Sequence, residues 1–285
     1  MKKLLYSLAL LLCLLPNRLA AFSPTVEIHI AGKWRHVSQL DVKAVLDSAV
    51  TVAIPYVGAR TMEPIQVRNH NKGPISLYER SPAQEYVVLL DIDGAYYAQM
   101  AYQFSHEYCH LRSNYDLAPH NITRQQWFEE ALCEAFSLFN LEQMAKQWES
   151  HPPYPSWKAY APELKKYVAS LKKEQHRRLA PSLKAWYEMY RNTLEENPYA
   201  QNRQLNEQMA SHLLGLFEKY PQSWQAINYV NLGEITQHYT FSDYLNDWLF
   251  YTPTQWQQPI RELLQELGFE QKYAVKQPCC LSVIF

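Results

Sequence analysis

Glycine is scarce in this chain, with 7 residues in 285, whereas there are 21 tyrosines and 8 tryptophans. This composition favours a helix-rich protein over one built from glycine-dependent turns. Cysteine is scarce as well, and four of the five cysteines lie beyond residue 21. Four unevenly spaced cysteines are too few for the disulfide framework of a small secreted domain.

Long apolar runs are missing after the first 21 residues. The chain opens with two lysines, an apolar run over 4–15 and small residues up to Ala21, which is the pattern of a signal peptide over 1–21. Lipid anchoring at Cys13 is not expected because a small residue should precede the cysteine, and Leu12 stands there. No later run reaches about 18 apolar residues. We therefore expect an exported protein, secreted or periplasmic, with no transmembrane segment after signal cleavage.

The charge balance excludes one class of partner. The chain has 27 basic and 28 acidic residues, and the leader contains three of the basic residues and no acidic one. Removal of the signal peptide over 1–21 leaves 24 basic and 28 acidic residues, which is a formal net charge of −4. Such a charge gives no reason to expect nucleic acid or an anionic membrane as a partner.

Two kinds of periodicity follow the leader. Over 22–93, VEIHIAGKW and EYVVLLDID alternate as strands, VSQLDVKAVLDSAVTVAI has helical spacing, and PIQVRNHNKGPISLYE predicts two strands around a turn. Over 94–285 the spacing is helical throughout. We therefore predict one domain over 22–285 of the α+β class, mostly helical, in which a small mixed α/β part precedes a helical part.

Seven helices are predicted in the second part. The first is GAYYAQMAYQFSHEYCHL, and the second is QQWFEEALCEAFSLFNLEQMAKQW, with a capping-box pattern at Thr123 and Gln126. The others are APELKKYVASLKKEQHRRL, SLKAWYEMYRNTLEEN, LNEQMASHLLGLFEKY, TFSDYLNDWLF and PIRELLQELGF.

The first of these helices carries the motif H-E-x-x-H at positions 106–110. On a helix, His106 and His110 lie about 40° apart, so both imidazoles can reach one ion, and Glu107 lies about 100° round from His106. Zinc lowers the pKa of a bound water towards 7, and Glu107 is placed to take the proton as a general base. Two histidines four residues apart also occur by chance as core or surface groups, so the motif alone does not decide.

The second helix offers a third ligand. A catalytic zinc ion needs three protein ligands and one open position, and Glu130, in WFEEALCEAFS, lies 20 residues after His110. At this point the sequence resembles the gluzincin branch of the H-E-x-x-H zinc metallopeptidases, relatives of thermolysin and the zinc aminopeptidases. Their second helix often reads W-(L/F)-N-E-G-(L/F)-A-E. The resemblance implies that Glu130 is a zinc ligand and that Glu134 hydrogen-bonds a ligand histidine. Glu129 replaces the family's asparagine and adds negative charge, and Ala131 replaces its glycine.

The resemblance extends to two other segments. EYVVLLDID matches the family's edge strand, along which a peptide substrate lies. HYTFSDYLNDWL is similar to a helix start whose tyrosine supports the developing oxyanion, which would be Tyr239, with Ser242 in the small-residue position. This second match is faint, and a chain with 21 tyrosines offers other candidates for the same role.

An alternative third ligand is Asp116, since HEYCHLRSNYD also fits the compact pattern H-E-x-x-H-x-x-G-x-x-D. Ser113 stands where that pattern has the glycine of a sharp turn, and no methionine-turn follows, so Glu130 is preferred.

The cysteines are not expected to bind zinc. Cys109 and Cys133 occupy corresponding places on the two helices, either as small buried side chains or as a disulfide between them. For Cys279 and Cys280 the sequence does not choose between a bridge, a metal-reactive pair and an apolar tail.

The sequence thus predicts an exported zinc peptidase that hydrolyses a peptide or protein substrate. His106, His110 and Glu130 would bind Zn²⁺, Glu107 would be the general base, and Glu134 would support a ligand histidine. The alternative is a non-catalytic helical binding or assembly protein that retains a metallopeptidase-like fold.

Overall fold

The N-terminal part of the chain forms one small mixed sheet. A computed structural model describes residues 26–114, 125–179, 182–196, 202–233 and 239–272. The strands are β1 (Ile28–Ile30), β2 (Ile65–Asn69), β3 (Ile75–Leu77) and β4 (Tyr86–Leu90), in the spatial order β1-β2-β4-β3. β1, β2 and β4 are parallel, and β3 runs antiparallel to β4.

The position of β4 corrects one expectation. EYVVLLDID is not the edge strand, because β4 lies between β2 and β3 and the edge on that side is β3. The turn after β2 consequently does not close a hairpin, although both strands of PIQVRNHNKGPISLYE are present. The physical reason is burial: four of the five residues of β4 are buried, whereas Ile75 on β3 is 46% exposed. The more apolar strand therefore takes the inner position.

Helix α1 (Gln39–Val57) packs against β1, and local sequence signals set both of its ends. It begins at Ser38, whose hydroxyl accepts a hydrogen bond from the Asp41 backbone N–H at 3.0 Å. It ends at Gly58, whose φ of +78° is a left-handed conformation that glycine adopts without steric cost. Between these caps, ten apolar or small side chains are buried.

The two helices that carry the candidate ligands are α2 (Tyr97–Arg112) and α3 (Gln126–Trp148), close to the predicted bounds. They pack directly against each other. Cys109 and Cys133 are completely buried and both thiols are free, so they serve as small side chains in the core. The capping pattern at Thr123 lies outside the described residues.

The remaining helices pack against α3 or against one another, and most side chains of α3 are buried. They are α4 (Ala161–Lys172), α5 (Leu183–Glu196), α6 (Arg203–Lys219), α7 (Phe241–Tyr251) and α8 (Gln258–Leu267), with 3₁₀ turns at Pro155–Tyr160, Gln175–Arg177, Pro221–Tyr229 and Thr254–Trp256. Aromatic packing joins α3 to α7, since the ring of Phe241 lies 4.9 Å from Trp127 and 5.1 Å from Phe128.

The predicted class is confirmed: the fold is α+β and mostly helical, with the sheet at the N-terminal end. One apolar core runs from the sheet through the helices, from Val26 to Leu267. Within the described ranges, no helix has the length and apolar character needed to cross a bilayer.

Candidate metal centre

The two motif histidines face each other on α2. Their ring centroids are 4.9 Å apart, and the Nε2 atoms of His106 and His110 are separated by 3.2 Å. Residues four apart on a helix lie one above the other, which accounts for the alignment. The side chains are 16% and 11% exposed, so the pair lies just below the surface.

Glu130 on α3 completes a triangle with the two imidazoles. Its Oε2 lies 3.1 Å from His106 Nε2, and its Oε1 lies 3.5 Å from His110 Nε2. The Glu130 side chain is 36% exposed, so solvent reaches the group from its side. The structure therefore brings together the three residues that the sequence predicted as ligands.

This triangle fits a zinc ion. Tetrahedral coordination with bonds of about 2.0–2.1 Å separates neighbouring ligand atoms by about 3.3 Å. The His106 Nε2–His110 Nε2 separation of 3.2 Å and the His106 Nε2–Glu130 Oε2 separation of 3.1 Å are close to this value, and the 3.5 Å from His110 Nε2 is measured to the other carboxylate oxygen, Oε1. Two imidazole nitrogens and one carboxylate form a donor set typical of catalytic zinc, which leaves a fourth position for water or substrate.

The electrostatics of the three groups favour a positive charge among them. Burial lowers the pKa of His106 and His110, but the Glu130 carboxylate outweighs it, so both pKa values are raised, that of His110 well above its ordinary value. Burial raises the pKa of Glu130, yet the two imidazoles hold it well below its ordinary value. Protons or a metal cation can supply the positive charge, and a cation would displace the protons.

His110 is oriented by Glu129, a contact that the sequence analysis missed. His110 Nδ1 lies 2.7 Å from Glu129 Oε1, which also accepts a hydrogen bond from Ser113 Oγ at 2.7 Å. Because an ionised carboxylate only accepts, Nδ1 carries a proton, and the Nε2 lone pair becomes available to the triangle when a cation displaces the proton there. Glu129 therefore accepts a hydrogen bond from His110, and its negative charge faces this histidine. The one feature of the sequence that could have indicated this contact is the position of Glu129 immediately before Glu130 on the same helix.

Glu134 lies beside His106, as the resemblance implied, but not at hydrogen-bond length. Its Oε2 is 3.9 Å from His106 Nδ1. The same oxygen accepts a hydrogen bond from the Tyr102 hydroxyl, and Oε1 accepts one from Arg177 Nη1 at 2.7 Å. Tyr102 and Arg177 are further residues that the sequence analysis did not identify.

Glu107, the predicted general base, contacts the edge strand. Its Oε2 accepts a hydrogen bond from the Ser76 hydroxyl on β3 at 2.8 Å, and the residue is 4% exposed. Ser76 thus fixes the carboxylate between α2 and the sheet edge. The sequence pattern gave no sign of this contact, because 31 positions separate the two residues.

The other predicted residues stand as follows. The Tyr239 hydroxyl donates to Asp247 Oδ2 at 2.8 Å, and its ring lies 6.5 Å from that of Tyr244. Ser242 lies in the first turn of α7, where its carbonyl accepts a hydrogen bond from Asn246. Asp116 lies outside the described residues.

A nearby group of carboxylates is less suited to a cation. Glu174, His176 and Glu207 place possible ligand atoms within 4.8 Å of one another. However, Arg177 contacts Glu174 at 2.8 Å and Glu207 at 3.3 Å, and Arg203 contacts Glu207 at 2.9 Å. Two guanidinium groups already balance the carboxylates, so this cluster forms a network of ion pairs.

Removal of one partner from the buried pair of Arg177 and Glu134 should be strongly destabilising. Arg177→Met should lower the free energy of unfolding by about 3–5 kcal/mol, since it leaves a buried carboxylate without its cation. Their side chains are 2% and 9% exposed. Arg203→Met is the control, because Arg203 is 76% exposed and its ion pair should contribute no more than about 1 kcal/mol. Urea unfolding of metal-free protein measures both variants, and equal losses would contradict the assignment.

Comparison of the chain with protein-family models, with curated protein sequences and with solved structures finds no match. What this site does is therefore inferred from its own residues and geometry.

Proposed function

We propose that this protein is an exported zinc-dependent peptidase of gluzincin type. The observation that carries the proposal is the convergence of His106, His110 and Glu130, at separations that suit tetrahedral zinc, with Glu107 on the adjoining part of the same helix. The signal-peptide pattern over 1–21 supports export.

Each residue has a distinct task in this proposal. His106 and His110 bind the metal through Nε2, and Glu130 binds it through its carboxylate. Zinc, when bound, supplies Lewis acidity that polarises a carbonyl group and acidifies a water molecule. Glu107 accepts the proton from the attacking water at its carboxylate and later donates it to the leaving amine.

The edge strand supports a peptide as substrate. β3 is the outer strand of the described sheet, and Ser76 on this strand contacts Glu107. An extended peptide binds a sheet edge through main-chain hydrogen bonds, and at β3 it would pass beside the general base. The sequence suggested β4 as the edge strand along which a peptide lies. Because β3 is the edge strand in the described sheet, we propose β3 for this role instead.

Tyr239 is proposed, as before, to support the developing oxyanion. In the structure its hydroxyl donates to Asp247, so in the reaction this donor would have to turn from Asp247 to the substrate oxygen.

Metal analysis together with a peptide-library digest tests the proposal. The purified mature protein should contain about one zinc ion per chain, cleave peptides, lose cleavage on treatment with a chelator, and regain it with added zinc. Protein that binds zinc and cleaves none of a varied set of peptides would indicate the non-catalytic binding function instead. Protein that acquires no zinc from a buffered zinc solution would contradict the proposal as a whole.

A further inference from the structure

We propose that Asn231 is a positioning residue for the metal centre: it holds the Glu129 carboxylate against His110 and thereby raises the affinity for zinc. The inference rests on the metal-binding part of the proposed function. Asn231 lies 102 positions from Glu129, between the 3₁₀ turn Pro221–Tyr229 and α7.

The amide nitrogen of Asn231 faces the helices that carry the proposed ligands, and its oxygen faces α7. Its Nδ2 donates to Glu129 Oε2 at 2.7 Å and to the Ser113 carbonyl at 3.0 Å, and its Oδ1 accepts from the Tyr244 hydroxyl at 3.0 Å. Both amide protons are used, and the Ser113 carbonyl, which can only accept, fixes which end of the amide faces Glu129.

The backbone at Asn231 has a left-handed conformation, with φ of +63°. Non-glycine residues avoid this region, and asparagine tolerates it better than most. A strained conformation persists only where the surroundings enforce it, and such positions concentrate at functional sites. Here the strain places the Asn231 amide over Glu129.

The hydrogen bonds of Asn114 hold the backbone next to Asn231, and a glycine permits close packing two residues later. Asn114, at the end of α2, also has a left-handed φ of +59°, and its Nδ2 donates to the carbonyls of Asn228 and Val230, both at 2.9 Å. Gly233 allows a close approach on the other side, since a Cβ atom there would lie 2.2 Å from Asp247 Oδ2. The segment is therefore held on the side before Asn231 and packs closely against α7 at Gly233.

The consequence for Glu129 is that both of its oxygens are fully engaged. Oε1 contacts His110 and Ser113, and Oε2 contacts Asn231. Without the Asn231 amide, the Glu129 carboxylate would be held against His110 through its Oε1 contacts alone and would be less well oriented. Groups that orient a ligand histidine raise its basicity, and their loss typically lowers metal affinity about 10- to 100-fold.

Asn231→Asp tests the role with the least change of shape. Aspartate also tolerates a left-handed backbone and keeps the acceptor for Tyr244, but it replaces the amide donor with an oxygen that repels Glu129. The zinc dissociation constant, measured by competition with a chromophoric chelator, should rise about 10- to 100-fold. An unchanged constant would overturn the inference.

Asn114→Asp is the matched control. Asn114 has the same residue type and backbone conformation in the same junction, but its side chain contacts Asn228, Val230 and Arg60 instead of Glu129. Thermal unfolding of the metal-free proteins should show that both variants weaken the junction, whereas only Asn231→Asp weakens zinc binding. Equal loss of zinc affinity in the two variants would reduce Asn231 to a structural role and overturn the inference.

The double variant Glu129→Gln with Asn231→Asp supplies a rescue. Its glutamine can accept from His110 through Oε1 and donate to the new aspartate through Nε2, so the double variant should bind zinc more tightly than Asn231→Asp alone. No recovery would count against the proposed contact. If the wild type binds zinc but cleaves no peptide, the proposed peptidase function is contradicted and the comparison of zinc affinities still tests Asn231. If the wild type binds no zinc, both the proposed function and the role of Asn231 are overturned.

Discussion

Replacing Glu107 with glutamine should leave about one zinc ion per chain in place and lower peptide hydrolysis by about 10²- to 10⁴-fold. The amide has the same shape and can still accept a hydrogen bond from the Ser76 hydroxyl through its oxygen, so the fold and the ligands should not change. It cannot take a proton from water, and that single loss removes general-base catalysis. Rates with a peptide identified in the library digest measure the effect.

Glu142→Gln is the control for this substitution. Glu142 also lies on a ligand-bearing helix, but it forms a surface ion pair with Lys172 at 3.0 Å, of a kind that contributes little to stability. Its rate should equal that of the wild type. If Glu107→Gln cleaves as fast as the wild type, the activity does not come from the H-E-x-x-H helix, and another residue must be sought as the base.

The helices were predictable because their signals are local. The bounds of α2 and α3 follow from apolar spacing, and the i, i+4 relation alone places His106 beside His110. Glu130 was proposed as a ligand because WFEEALCEAFS resembles the second helix of the gluzincins, a match that depends on residues close together in the sequence.

The sheet order was less predictable because strand pairing depends on the whole chain. The sequence between β2 and β3 contains turn residues, which favour a local pair, but β4 buries more apolar area and separates them. Sequence adjacency was therefore a poor guide to which strand is the edge.

The residues around the proposed ligands were missed for the same physical reason. Arg177 meets Glu134 across 43 positions, and Asn231 meets Glu129 across 102. Neither contact leaves a periodic signal in the sequence, because each depends on how the helices pack. Buried hydrogen-bonded charges of this kind are recognised only when burial and distance are known.

The identity of the third ligand gives the largest expected change in metal content. Glu130→Ala and His106→Ala should each lose bound zinc, since either substitution leaves only two protein ligands, fewer than catalytic zinc sites have. Asp116→Ala should retain zinc, because the Glu130 carboxylate already lies 3.1 Å from His106 Nε2 and closes the triangle.

Metal content after dialysis against a weak chelator, with circular dichroism to verify folding, measures the three variants side by side. Asp116→Ala serves as the matched control, since it removes a carboxylate from the competing position in the same chain. If Asp116→Ala releases the metal while Glu130→Ala keeps it, the compact ligand pattern is right and the gluzincin assignment is wrong. Because Glu130 is joined to His110 as well as to His106 in the observed geometry, we expect the opposite result: zinc is lost with Glu130 and kept without Asp116.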